Sequence, residues 1–90
     1  WGVFYLAKCS FNGWGTPQDY RKTMEFLNKM TFYNPEADYM RGFIYARGLG
    51  VPEDIKKGVE FLQKAGDLPC AKEELRNYKK SLFGKWSRRA

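Results

Sequence analysis

Apolar residues recur every three or four positions along most of the chain, and this spacing places them on one face of an α-helix. The pattern predicts five helices, at residues 2–12, 18–30, 36–47, 53–65 and about 70–83. No segment shows the alternation of period two that is typical of a half-buried strand. The chain is therefore predicted to be all-α.

The first four predicted helices form two copies of one unit. Residues 13–29, aligned on residues 48–64 at an offset of 35, are identical at nine of 17 positions. The identities include a Gly-x-Gly pair, followed at intervals of two by a proline and an aspartate. Glycine can end a helix in the left-handed conformation, proline suits the first turn of the next helix, and aspartate can cap it. Each unit is therefore predicted to be helix, tight turn and helix, with Asp19 and Asp54 starting the second helices.

The second helix of each unit is predicted to bury one face. Its apolar positions recur at helical spacing and include the adjacent pairs Phe26/Leu27 and Phe61/Leu62. Lysine, arginine and glutamate occupy the other side. We expect both members of each pair to contribute to the core.

The fifth helix is expected to cap the two units. Its apolar stripe consists of Ala71, Leu75, Tyr78 and Leu82. The acids Glu73 and Glu74 are assigned to the exposed face. Gly84 is expected to stop this helix, and Trp86 to fold back over its end.

Positive charge is concentrated at the C-terminal end. The net charge is +1 over residues 1–71 and +5 over residues 72–90. No acid follows Glu74, whereas six basic residues do: Arg76, Lys79, Lys80, Lys85, Arg88 and Arg89. These residues could favour an anionic partner at low salt, or they could form an ordinary solvated face.

The composition favours a small packed domain and disfavours an enzyme. The 90 residues are 43% hydrophobic and 18% aromatic, and histidine, the commonest general base and metal ligand, is absent. The acids are assigned to helix starts, as at Glu36, or to exposed faces, so no catalytic, cofactor-binding or metal-ligating residue is predicted. No apolar run approaches the ~18 residues of a membrane span. No targeting segment is visible either, and the compartment stays open.

The two cysteines are predicted to be structural. Cys9 and Cys70 lie 61 positions apart, without a C-x-x-C motif or a second ligand cluster. Two buried, reduced thiols are favoured over a disulfide, because a free cysteine behaves as a small hydrophobic residue.

The repeating unit resembles the Sel-1-like repeat, a relative of the tetratricopeptide repeat. The second unit carries its pattern at Ala37, Gly42, Tyr45, Gly48, Gly50, Val51, Pro52, Asp54 and Lys57. The first unit carries it at Leu6, Ala7, Gly13, Gly15, Pro17, Asp19 and Lys22. The departures from its usual residues are Ser10, Thr16, Thr23, Arg41 and Gly58. The ending YKKSLFGKW is similar to the tail of some bacterial members.

This resemblance implies an α/α superhelical solenoid. Repeat one would span about 2–35 and repeat two about 36–70, followed by a capping helix and basic tail at about 70–90. Such arrays act as non-catalytic scaffolds or adaptors for another protein or a peptide, and the first helix of each unit lines the concave side. The residues implied to face that groove are Phe4, Lys8, Phe11, Asn12, Tyr39, Phe43 and Arg47. The alternative for each aromatic residue is simple packing between helices.

Two further possibilities stay open. Polyanion or nucleic-acid binding through the six basic C-terminal residues is less favoured, because the signal is generic and no recognised motif accompanies it. The first helix carries Trp1, Val3, Phe4, Tyr5 and Leu6 without a polar outer stripe. Upstream repeats, a second copy of the chain or a partner protein is expected to cover it.

Overall fold

The computed structural model describes residues 2–30 and 34–88 of the chain. Five helices are followed by two short strands. They are α1 Gly2–Asn12, α2 Tyr20–Asn28, α3 Pro35–Arg47, α4 Ile55–Lys64, α5 Pro69–Leu75, β1 Tyr78–Lys80 and β2 Trp86–Arg88. Trp1 and Arg89, named above, lie outside the described residues. The molecule is elongated, at 42 × 23 × 20 Å.

Both units use the same turn between their helices. The carboxylates of Asp19 and Asp54 each accept a hydrogen bond of 3.0 Å from the backbone N–H three residues later, which confirms both as helix caps. The backbone N–H of Asp19 donates to the carbonyl of Ser10, and that of Asp54 donates to Tyr45, each at 2.9 Å. Residues 35 positions apart in the two units therefore share their hydrogen bonds as well as their residue types.

The predicted left-handed glycines are present, and one of them lies where the two units meet. Gly48 caps α3 at φ 64°, and Gly50 follows at φ 75°. A Cβ on Gly50 would lie 3.1 Å from the backbone nitrogen of Arg21 in α2. Its equivalent Gly15 also has positive φ, at 69°, but has no atom within 4 Å of that position. Repeat one occupies the space beside Gly50, whereas nothing among the described residues fills the corresponding space beside Gly15.

Two apolar clusters form the core. The first lies among α1, α2 and α3 and contains Ala7, Met24, Leu27, Ala37, Met40 and Ile44. The second lies among α3, α4, α5 and β1 and contains Ala46, Val59, Leu62, Ala65, Ala71 and Tyr78. Of the predicted pairs, Leu27 and Leu62 are fully buried, but Phe26 and Phe61 are only partly buried. Phe61 stacks at the margin on Tyr45, with ring centroids 5.8 Å apart.

Helices α3 and α4 approach closely because small residues line their contact. A Cβ on Gly58 would lie 2.6 Å from both Cβ and backbone nitrogen of Ala46. A Cβ on Gly42 would lie 2.7 Å from the carbonyl oxygen of Gly58. Glycine at position 58, where the Sel-1-like pattern usually has alanine, is therefore matched to this helix spacing.

The C-terminal segment corrects the prediction of a helix over 70–83. Helix α5 ends at Leu75, and β1 pairs antiparallel with β2, so that Tyr78 lies opposite Arg88. The hairpin brings Tyr78 and Trp86 together against the second cluster and leaves Leu82 in solvent. Trp86 does fold back as expected, but from a strand. Gly84, expected to stop a helix, lies at φ 77° in the hairpin turn.

We expect Gly58→Ala to destabilise the protein by about 1–3 kcal/mol, because the added methyl group overpacks the contact with Ala46. This sign is opposite to the stabilisation of up to ~1 kcal/mol that alanine ordinarily gives inside a helix. Chemical denaturation measures the difference. Gly2→Ala in α1, where the new Cβ meets nothing within 4 Å, is the control and should be near neutral. A Gly58→Ala variant as stable as the parent would contradict the close packing of α3 on α4.

Candidate functional site

Three aromatic rings join the first helices of the two units. Phe11 of α1 contacts Phe43 and Tyr39 of α3 edge to face, with ring centroids 5.3 and 6.1 Å apart. Tyr39 and Phe43 are themselves 5.9 Å apart. Aromatic pairs in such geometry add attraction beyond the burial of their area. These rings, all partly exposed, form the floor of a groove between α1 and α3.

A cavity of about 150 Å³ opens in this groove. Its walls are Lys8, Phe11, Asn12, Glu36, Tyr39, Met40, Leu68 and Cys70. Lys8 and Glu36 form a half-exposed ion pair of 3.2 Å at its margin. Desolvation by burial is the main cause that raises the pKa of Tyr39, so its hydroxyl is a neutral hydrogen-bond donor near pH 7. The cavity is large enough for a benzene-sized apolar group.

The seven residues predicted for the concave side lie along one surface. Four line the cavity: Lys8, Phe11, Asn12 and Tyr39. Phe43 extends the aromatic floor, and the guanidinium of Arg47 lies 4.5 Å from its ring centroid. Phe4 packs on the first cluster, with the ammonium of Lys8 5.5 Å from its ring centroid. The structure therefore brings the predicted set together, and whether these residues bind a partner stays a prediction.

Sequence reasoning missed four of the cavity residues, namely Glu36, Met40, Leu68 and Cys70. Glu36 was assigned only to the helix start, and Met40 belongs to the buried stripe of α3. Leu68 and Cys70 arrive from the start of α5, and no local pattern shows that this segment reaches the groove. The prediction that Cys70 is buried is wrong, because its side chain is exposed at the cavity, while Cys9 is buried as expected. Desolvation raises the pKa of Cys70, so its thiol is mostly protonated at neutral pH.

A buried carboxylate holds Arg47, the last residue of the predicted concave set. The prediction that Glu74 lies on an exposed face is wrong, because Glu74 is buried and accepts two hydrogen bonds from Arg47, of 2.8 and 3.0 Å. The hydroxyl of Tyr78 donates to it at 2.9 Å, and the side chain of Asn77 donates at 3.3 Å. Burial and this hydrogen bond to a carboxylate both favour the neutral phenol, and they raise the pKa of Tyr78 to about 12.

The basic residues lie on and beside the hairpin, so the prediction of a basic C-terminal helix is wrong. Arg76 follows α5, Lys79 and Lys80 are in β1, Lys85 precedes β2, and Arg88 is in β2. Arg88 donates to the carbonyl of Ala46 and to Glu53, each at 3.2 Å. It therefore ties β2 to α3 and to the turn before α4.

Over residues 2–30 and 34–88, no three histidine, cysteine, aspartate or glutamate side chains are grouped to hold a metal ion. Across the same residues, no helix combines the length and the apolar character needed to cross a membrane.

The comparison with known families decides what the repeating unit is. The model of the Sel1 repeat matches residues 2–30 and 35–70, which is more than half of the chain. The chain belongs to the Sel1 repeat family. No curated protein sequence matches it. The Sel1 repeat protein from Oxalobacter formigenes, known from its crystal structure, is similar over 82% of this chain, with a TM-score of 0.70 and 30% sequence identity. This chain spans only 22% of that protein.

The α/α repeat architecture expected from the sequence is confirmed by both findings. Sel1 repeats form non-enzymatic scaffolds that typically mediate interactions between proteins. A scaffold of this kind binds its partners on the surface of the solenoid, and in this chain that surface includes the groove between α1 and α3.

One departure from the usual Sel1 residues connects the two repeats. Arg41, at a position where leucine is usual, forms an ion pair of 3.1 Å with the buried Asp38. Its guanidinium also donates to the carbonyl of Leu27, near the end of α2, at 2.8 Å. Arg41 of repeat two thus satisfies a backbone carbonyl of repeat one at the contact between the two repeats.

We expect the stability of this Sel1 protein to fall between about pH 10 and pH 12. The unfolded state releases the Tyr78 proton near pH 10, whereas the folded state keeps it to about pH 12, so rising pH favours unfolding across that interval. Denaturation at a series of pH values, together with the absorbance of tyrosinate, measures both effects.

Tyr78→Phe is the control, and it should flatten the loss of stability across this pH interval. Glu74→Gln removes the negative charge and should lower the pKa of Tyr78 toward 10. If all six tyrosines of the chain titrate together near pH 10, the buried hydrogen bond to Glu74 is ruled out.

Proposed function

We propose that this Sel1 protein is an adaptor that holds a peptide segment of another protein in the groove between α1 and α3. The observation that supports this most directly is the apolar cavity among Phe11, Tyr39 and Met40. An apolar pocket with a few polar groups at its margin is the usual form of a site that takes one anchoring side chain. The groove is partly exposed along its length, so an extended segment can enter it from solvent.

The margin of the cavity supplies groups that can hold a peptide backbone. The side-chain nitrogen of Asn12 donates to the carbonyl of Lys8 at 2.9 Å, which leaves its side-chain oxygen as an acceptor for a peptide N–H. The Tyr39 hydroxyl is a neutral donor for a peptide carbonyl. The Lys8–Glu36 pair balances its own charge at the margin. We therefore expect the bound segment to carry an apolar anchor and to be selected mainly by shape.

The polyanion alternative, binding through Arg76, Lys79, Lys80, Lys85, Arg88 and Arg89, stays a prediction. Its simplest test, deletion of the tail after Phe83, is unsuitable because it would also remove Trp86 and the anchor at Arg88. Glutamine substitutions at the exposed lysines keep the hairpin and are the better test.

A second surface of the proposed adaptor is the outer side of repeat one. Tyr5 is 65% exposed, whereas Met40, its equivalent in repeat two, is 3% exposed beneath repeat one. Trp14 is 54% exposed, whereas its equivalent Leu49 packs on the first cluster. Since a preceding repeat covers these positions in repeat two, a further helix pair, a second copy or a partner protein is proposed to cover them in repeat one.

The groove is tested by filling its cavity. Cys70→Trp places an indole at the exposed edge of the cavity without removing a core side chain, and Lys72→Trp places the same group elsewhere on α5. A peptide is first selected on the parent protein from a displayed random library. Fluorescence anisotropy then gives its affinity for each variant. We expect Cys70→Trp to weaken binding at least about tenfold, which is about 1.4 kcal/mol, and Lys72→Trp to leave it unchanged.

Protection of the Cys70 thiol provides an independent readout of groove binding. Because Cys70 lines the cavity and Cys9 is buried, a bound peptide should slow alkylation of Cys70. The assay is best run above neutral pH, where more thiolate is present. A selected peptide that binds equally to both tryptophan variants and leaves the alkylation rate unchanged would place its site outside the groove.

The outer side of repeat one is tested through self-association and dye binding. We expect the parent protein to bind a hydrophobic dye or to associate in light scattering, because Tyr5, Leu6 and Trp14 of repeat one are each exposed to solvent. The double variant Leu6→Glu, Trp14→Glu should reduce either signal. A parent protein that is a stable monomer with little dye binding would contradict the need for a cover.

A further inference from the structure

The turn of the C-terminal hairpin presents two apolar side chains to solvent. Leu82 and Phe83 are 102% and 96% exposed, and they are adjacent at the tip between β1 and β2. A helix over this segment was expected to bury Leu82, so its exposure is a consequence of the hairpin. An exposed apolar group of this kind, rimmed by polar residues, marks a surface for an apolar contact.

The exposed tip is a formed turn. The side-chain oxygen of Ser81 accepts hydrogen bonds from the backbone N–H groups of Phe83 and Lys85, at 3.3 and 3.1 Å. The backbone of Ser81 donates to the carbonyl of Lys85 at 2.8 Å and accepts from Gly84 at 3.0 Å. Because these bonds fix the backbone, Leu82 and Phe83 are held outward from the protein.

The base of the hairpin is anchored to repeat two. Tyr78 is buried and bonded to Glu74, Trp86 packs on the second cluster, and Arg88 bonds the carbonyl of Ala46. The hairpin therefore has one attached end and one free end. Such an arrangement presents the tip in a fixed direction without the need to order it on binding.

Three lysines flank the apolar tip in the sequence. Lys79, Lys80 and Lys85 are exposed, and none of them forms an ion pair with any residue in 2–30 or 34–88. Residues 78–88 contain no acid. The exposed end of the hairpin thus combines an apolar tip with three lysines that form no ion pair among the described residues, although Glu53 and Asp54, just before α4, line a pocket together with Phe83 and Lys85.

We propose that this hairpin docks the protein on the surface of a membrane rich in anionic lipid. A bilayer interface offers negative headgroups and, just below them, an apolar layer that can receive Leu82 and Phe83. A nucleic acid offers phosphates for the lysines and bases on which Phe83 could stack, but it leaves the aliphatic Leu82 in water. The lipid surface therefore satisfies both features of the tip, and it is a surface separate from the peptide groove.

The dimensions of the hairpin fit this placement. Lys80 and Lys85 each lie two residues from the tip pair, so even a fully extended chain would separate them from it by at most about 7 Å, and the turn makes the distance shorter. Apolar groups at an interface reach roughly 5–10 Å into the boundary between headgroups and acyl chains. With the tip at that depth, the lysines lie at the level of the headgroups.

The test is cosedimentation of the full chain with vesicles of phosphatidylcholine, with and without phosphatidylglycerol. We expect binding only to the vesicles that contain phosphatidylglycerol. Leu82→Ser with Phe83→Ser should weaken that binding at least about tenfold and leave its dependence on salt unchanged. Lys79→Gln, Lys80→Gln and Lys85→Gln together should weaken it about a hundredfold and reduce the salt dependence.

A matched control removes the same charge elsewhere. The triple variant Arg21→Gln, Lys22→Gln, Lys29→Gln takes three exposed positive charges from α2 and its C-terminal cap. It should bind the vesicles nearly as well as the parent protein, since these residues lie outside the hairpin. Circular dichroism and thermal denaturation confirm that each variant is folded.

Three results would overturn the proposal. The first is a parent protein that does not bind the phosphatidylglycerol vesicles. The second is a Leu82→Ser, Phe83→Ser variant that binds as well as the parent, which would make the hairpin a general polyanion site. The third is an α2 control that loses as much affinity as the hairpin lysine variant, which would mean that the net charge of the protein, and not the hairpin, determines binding to the vesicles.

Discussion

The buried carboxylate of Glu74 connects three segments that the rest of the C-terminal half depends on. It lies on α5 and accepts hydrogen bonds from Arg47 of α3 and from Tyr78 of β1. A buried charge is strongly unfavourable unless its partners are in place, so the chain must bring both groups to it. Tyr78 makes this contact from β1, after the helix has ended at Leu75, and its ring packs on the second cluster. One carboxylate thus joins the hairpin, through Tyr78, to the predicted concave surface, through Arg47.

The solenoid then explains why equivalent residues have different surroundings. Met40 is buried and Tyr5 exposed although 35 residues relate them, because only Met40 has a preceding repeat beside it. The same relation distinguishes Gly50, close to the backbone of Arg21, from Gly15, which faces open space. Each repeat in such an array is stabilised by its own packing and by its neighbours. Among residues 2–30 and 34–88, no segment covers Tyr5 and Trp14 in the way that repeat one covers Met40 and Leu49.

The sequence predicted well what local chemistry determines. Helices α1 to α4, the caps at Asp19 and Asp54 and the positive φ of the turn glycines follow from short-range patterns. The wrong predictions concern residues whose surroundings are set by contacts with distant parts of the sequence. The spacing of Tyr78 and Leu82 suits a helix as well as it suits the observed hairpin. Nothing in the sequence near Glu74 shows that it will pair with Arg47, 27 positions earlier. Cys70 was assigned to the core for the same reason, since only the path of the chain before α5 places it beside the groove.

The groove and the hairpin differ in the physical basis of any binding they support. At the margin of the groove, the paired charges of Lys8 and Glu36 leave an apolar contact that salt affects little. The binding proposed for the hairpin would rest on lysines that form no ion pair among the described residues, so salt should weaken that binding strongly. The two surfaces nevertheless meet at Glu74, because Arg47 stacks on Phe43 in the groove and shares this carboxylate with Tyr78 of the hairpin. A ligand that displaced Arg47 from Phe43 would also disturb the base of the hairpin. The contact is therefore a physical route by which occupancy of one surface could change the other.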